Sequence, residues 1–125
     1  MSLSVNIDKN QKLICLTCSD IISVHDLIEY EHEYWADPEM LSFNQIIDFS
    51  NALWDVEFSE LFLLATNATA QDDSITGLKT YFVVADSIQA ELAEFYRDTR
   101  HEICPAHIRE IVVSLDIEEA LSALT

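Results

Sequence analysis

Residues 78–85 read Leu-Lys-Thr-Tyr-Phe-Val-Val-Ala (LKTYFVVA), and Asp86 follows directly. A continuous apolar run of this length, rich in Val and aromatics, predicts a strand buried on both faces, as in parallel sheets. Asp86 has the side chain of a helix cap, and Ile88, Leu92, Phe95 and Tyr96 recur behind it at helical spacing. Cys104-Pro105-Ala106-His107 reads as a loop and Ile108 to Leu115 as another strand. Asp116-Ile117-Glu118-Glu119 then opens a last helix that runs through Leu124. Strand, helix, strand, helix in this order requires crossovers, hence parallel pairing with helices covering the sheet.

Upstream of the only glycine, Gly77, the pattern repeats. Glu57 to about Ala70 is helical, with Leu61, Leu64, Ala65 and Ala68 on one face; Phe43 to Phe49 (FNQIIDF) is a short strand. Ser23-Val24-His25-Asp26 is a capping box. It starts a helix whose face continues through Leu27, Ile28, Tyr34 and Trp35 and which Asp37-Pro38 stops. Leu3 to Ile7 alternates strictly, Asp8 to Gln11 is a turn cluster, and Lys12 to Cys18 completes an antiparallel hairpin. The order is β-β-α-β-α-β-α-β-α. It predicts one α/β domain over residues 1–125, a mostly parallel sheet with one antiparallel edge strand.

The chain has 125 residues, 23 acidic and 6 basic, for a formal net charge of −17. From Leu13 to Leu78 there is no Lys or Arg, against 13 acidic side chains. Such a chain has no basic surface with which to neutralise nucleic-acid phosphates, and an anionic membrane would repel it. It favours cationic partners or high ambient salt. There is no basic segment ahead of an apolar leader and no apolar run approaching a membrane span, so the expected compartment is the cytoplasm. Three cysteines, Cys15, Cys18 and Cys104, cannot close a disulfide framework, which fits a reducing compartment.

Chemical constellations are few. Cys15 and Cys18 have redox-pair spacing, but redox thiols need a helix N-terminus, and strand positions i and i+3 face opposite ways. His25, Glu29 and His32 share a helical face, and His101, Cys104 and His107 have metal-type spacing, yet neither set supplies a fourth ligand. A single glycine excludes the phosphate-cradling loops, which need φ > 0 at several positions. Asp72-Asp73 and Glu118-Glu119 are adjacent acids, suited to solvated faces or caps. No catalytic residue, metal site or cofactor is expected.

The pattern resembles the SpoIIAA-like family, the bacterial branch of STAS (anti-sigma-factor-antagonist-like) domains, which is often described beside CRAL–TRIO lipid-transfer domains. The resemblance runs from about Lys12 to Leu124. It rests on the Ser23–Asp26 helix start, Ala36-Asp37-Pro38-Glu39, the Ile46-Ile47-Asp48-Phe49-Ser50 strand exit and the terminal Leu115–Leu121 segment. It implies an interaction module regulated, in its best-known members, by phosphorylation of the first Ser in an Asp-Ser-Ser/Gly motif. Here that stretch reads Asp55-Val56-Glu57-Phe58-Ser59-Glu60-Leu61. Phe58 stands in the place of the accepting hydroxyl, Ser59 lies one residue late, and the residue is read first as a helix cap.

Two surfaces follow. Leu61, Leu64, Ala65 and Ala68 fill the buried stripe of their helix, which leaves Phe62 and Leu63 outside it, with Phe58 at the helix start. With Trp54 and Trp35 these residues predict an exposed apolar patch for a protein partner or a second copy of the chain. The CRAL–TRIO comparison implies instead a pocket for an apolar small molecule or lipid near Trp35, Trp54, Phe62, Tyr81 and Phe95. Ligands of α/β sheets bind beyond the carboxyl ends of parallel strands, which singles out Ser19, Asp20, Ser50, Asn51, Asp86 and Asp116 as a strand-end polar site.

Overall fold

The computed structural model describes residues 3–35, 38–72, 78–103 and 110–125, with the backbone alone at 35, 38, 41 and 68–72. The strands are β1 (Leu3–Asp8), β2 (Leu13–Ser23), β3 (Asn44–Asp55), β4 (Lys79–Val83) and β5 (Glu110–Ser114). They form one sheet in the order β1-β2-β3-β4-β5. β1 pairs antiparallel with β2, and every other pair is parallel. The hairpin turn is built by Asp8, whose Oδ1 accepts from the backbone N–H of Asn10 and Gln11.

The helices are α1 (Val24–Tyr30), which runs into a π-helical turn at Glu31–Trp35, then α2 (Pro38–Leu41), α3 (Phe58–Asp72), α4 (Ser87–Ile103) and α5 (Ile117–Leu124). Ser23 caps α1 in a full capping box: Asp26 N–H donates to Ser23 Oγ, and Ser23 N–H donates to the Asp26 carboxylate. Pro38 does not simply stop the preceding helix. It opens α2, at the helical position where its missing N–H costs nothing. Gly77, Ala36, Asp37 and the Cys104–His107 loop lie outside the described residues.

Because the strands lie side by side in chain order, the crossover helices gather on one face. There Leu27 and Tyr30 of α1, Leu61, Leu64 and Ala65 of α3, and Ala93 and Tyr96 of α4 pack on Ile14, Leu16, Ile47, Phe49 and Phe82. On the opposite face, among the described residues, α5 covers Leu13, Ile46, Tyr81 and Val83 through Ala120, Ile117 and Leu121. β4 is buried through Thr80–Val83, as a strand enclosed on both faces must be.

Two expectations need correction. β2 and β3 do not end at Cys18 and Phe49. A register shift between Thr17 and Ser19 lets them continue, and Ser19↔Asn51 through Ser23↔Asp55 form a two-stranded ribbon. The ribbon runs on past the last β3–β4 pair, Asp48↔Val83. At the irregularity Asp20 takes the left-handed region at φ 57, a conformation short polar residues tolerate. The inner face of α4 is also rotated from the predicted Ile88/Leu92/Phe95/Tyr96 stripe. Its buried residues are Gln89, Ala93, Tyr96, Thr99 and Arg100, and Ile88 is exposed.

Candidate functional site

The α3 helix starts after Val56-Glu57, where the Glu60 carboxylate accepts from the Glu57 N–H at 2.9 Å and so satisfies a donor the helix start leaves free. From that anchor the 3.6-residue period sets the faces. Leu61, Leu64 and Ala65 are buried, while Phe58, Phe62 and Leu63 remain 49%, 56% and 57% exposed. Phe58 is braced edge-on against Phe95 of α4, with ring centroids 4.8 Å apart. Three large exposed apolar side chains thus fall within six residues of one helix, with Phe58 and Phe62 one turn apart, the kind of exposure that marks an interface.

Trp54 does not join them. The register shift within the lengthened β3 breaks the alternation and turns it inward, where its ring centroid lies 4.4 Å from that of Phe49. There it lines a cavity under α1, α3 and α4, together with Leu27, Tyr30, Phe82 and Tyr96. The enclosed volume is about 30 Å³; the wider concavity of about 500 Å³ includes open solvent at its mouth. A cavity of that size has room for water, which needs about 10–15 Å³. Polar groups reach the cavity too. Thr80 Oγ1 and Trp54 Nε1 are buried without a hydrogen-bond partner, and the buried Arg100 guanidinium lies 5.9 Å from the Tyr96 ring centroid. Glu31, on the same wall, accepts from Asn67 Nδ2 at 2.9 Å. Of the residues expected around an apolar pocket, Trp54 lines this cavity, Phe62 and Phe95 do not, and Tyr81 lies on the α5 face of the sheet. The Trp35 side chain lies outside the described residues.

No family profile matches the chain, and no curated protein matches it at a significant level. It is similar in structure to an uncharacterised DUF3478-family protein with a SpoIIAA-like fold from Shewanella loihica PV-4. The TM-score is 0.60, the alignment covers 99% of this chain and 94% of that one, and sequence identity is 11%. The chain has a SpoIIAA-like fold. At that identity the likeness concerns architecture and nothing finer.

Within the SpoIIAA-like fold the other singled-out residues fall as follows. Ser59 is exposed in the first turn of α3, but it is not the cap, because the helix begins at Phe58 and Glu60 serves the Glu57 N–H. Ser19, Asp20, Ser50 and Asn51 are not at strand ends; they sit inside β2 and β3 around the register shift. Only Asp86 and Asp116 follow strand ends, and both carboxylates cap helices, accepting from Gln89 N–H and Glu118 N–H at 2.9 Å each. Cys15 packs toward the α5 face and Cys18 into the helix-covered core, so the two thiols lie on opposite sides of the sheet. Burial pushes both thiols up, Cys18 to about 12 with help from Asp48 and Asp26. His25 pairs with Glu29 at 3.1 Å, and among the described residues no cluster is arranged to hold a metal.

One signal went beyond sequence periodicity. On the ribbon's outer face Ile21 and Leu53 are paired in register and exposed, on the sheet side that α5 only partly covers. They become visible only once the strands are known to pass Cys18 and Phe49.

Proposed function

We propose that this SpoIIAA-like protein is a non-catalytic interaction module that meets a protein partner through the exposed face of α3. The observation that carries the reading is the outward row Phe58, Phe62 and Leu63 on a helix whose inward stripe is already filled by Leu61, Leu64 and Ala65. Other apolar side chains are exposed elsewhere, but Phe58, Phe62 and Leu63 fall within six residues of one helix, and an interface gives that concentration a use. An apolar small-molecule or lipid carrier fits less well, because the apolar cavity under the helices holds only about 30 Å³ against the roughly 300–1,000 Å³ of such pockets, and the larger hollows are lined by carboxylates.

The test compares capture from the source cell by the wild-type chain and by a Phe62→Asp/Leu63→Asp variant, read by mass spectrometry. A partner held by the first and released by the second is the expected result. Capture that ignores both substitutions overturns the reading. Light scattering on the same two proteins shows whether the partner is a second copy.

A further inference from the structure

A groove of about 390 Å³ runs between the start of α3 and the middle of α4, lined by Phe58, Phe95, Glu91, Glu94 and Asp98. Its floor is the edge-on pair Phe58–Phe95. The three acids stand at i, i+3 and i+7 on α4, one helical stripe about 10 Å long at 1.5 Å per residue. Asp98 accepts from Arg97 Nε at 3.1 Å, whereas neither Glu91 nor Glu94 has an ion-pair partner among the described residues. Phe62 continues the Phe58 stripe one turn further along α3.

We infer that this groove is the seat for a cationic amphipathic helix of the partner. The inference rests on the reading of the α3 face as an interface, and it names the chemistry of what docks there. The apolar side of such a helix lies on Phe58 and Phe62. Lys or Arg residues two turns apart on its flank meet Glu91, Glu94 and Asp98. A third helix set between two is a recurrent way of filling an apolar groove, read through anchors at i, i+3 or i+4 and i+7. Charge decides against a second copy of the chain. Only 6 of 125 residues are Lys or Arg, and α4 carries just Arg97, the buried Arg100 and, in its last turn, His101. Self-docking would therefore bring two rows of carboxylates together, and like charges placed face to face are costly. A cationic helix removes that cost, and the −17 field of the whole chain hastens its arrival.

The test uses the full chain and a fluorescent helical peptide of about 18 residues, long enough to hold its helix. Its sequence places Leu on one face and Lys on the flank. Anisotropy is compared for this peptide, for a scrambled peptide of the same composition, and for an amphipathic peptide with Gln in place of Lys. The ordered cationic helix is expected to bind at least tenfold more tightly than either. Glu91→Lys/Glu94→Lys is expected to lose at least tenfold while keeping its circular dichroism and melting temperature, and Phe62→Asp is expected to lose as much.

Equal binding of the scrambled peptide would mean bulk attraction only, and unchanged binding by the Glu91/Glu94 variant would overturn the inference outright. If the Gln peptide binds as well as the Lys peptide and Phe62→Asp abolishes both, the face is an interface for a partner that is not cationic. The inference then falls and the parent reading stands. If no peptide binds, the inference falls, and capture by the Phe62→Asp/Leu63→Asp variant decides the parent reading separately.

Discussion

Cys18 shows what one position costs and gains by its place in the sheet. Its thiol faces the core beneath the helices, where burial first, then the carboxylates of Asp48 and Asp26, disfavour the thiolate. With its pKa raised to about 12, the native thiol is protonated at neutral pH. Iodoacetamide at pH 8 followed by peptide mapping is therefore expected to leave Cys18 unlabelled in the folded chain and to label it after denaturation; labelling of the native protein would contradict its burial. The sign of the linkage follows. The unfolded thiol ionises near its ordinary value of 9 and the folded one near 12, so its contribution is fully present below 9 and is lost as pH climbs to 12. Urea melts across that window should show falling stability, with a shallower fall in Cys18→Val. At Ser23 the expected effect is at the helix start: Ser23→Ala removes the oxygen that receives the Asp26 N–H and should cost about 1 kcal/mol in a urea melt.

The two faces of α3 make opposite predictions for neighbouring residues. Leu61→Ala opens the core and should cost about 2–5 kcal/mol, whereas Phe62→Asp, on the exposed side, should stay within about 0.5 kcal/mol. A large loss at Phe62 would mean that its side chain is structural. Periodicity made these faces legible, because three consecutive apolar residues, Phe62-Leu63-Leu64, cannot all sit on one helical stripe. Trp54 was not legible in the same way. A polar stretch, Asp48-Phe49-Ser50-Asn51, resembles a strand end, and only the register shift shows the strand continuing and turning the indole inward. The inner face of α4 was hidden for a related reason. Gln89 is buried because it works as a clamp: its Nε2 donates to Ala52 O at 2.8 Å and its Oε1 accepts from Ala85 N–H at 2.9 Å. Hydropathy scores such a residue as surface. Gln89→Ala strands both backbone groups, with an expected cost of about 2–4 kcal/mol and faster amide exchange at Ala85.

At the scale of the molecule, 17 net negative charges over 6607 Å² of surface amount to about one per 390 Å². Screening that self-repulsion should stabilise the fold. Raising NaCl from about 0.05 to 0.5 M is expected to lift the melting temperature by roughly 4 °C, equivalent to about 1 kcal/mol. A flat or falling trend in scanning calorimetry would show that the charges are spaced too widely to matter. The strand order has a different consequence, one of timing. Each strand lies beside the one synthesised just before it, so no strand waits for a later segment to be inserted between it and its neighbour. Closing contacts of short sequence separation is the fast route to a sheet. As the chain leaves the ribosome, the hairpin of β1 and β2 can serve as the template on which β3, β4 and β5 are laid down in turn, and the final helix α5 seals the open face of the sheet last.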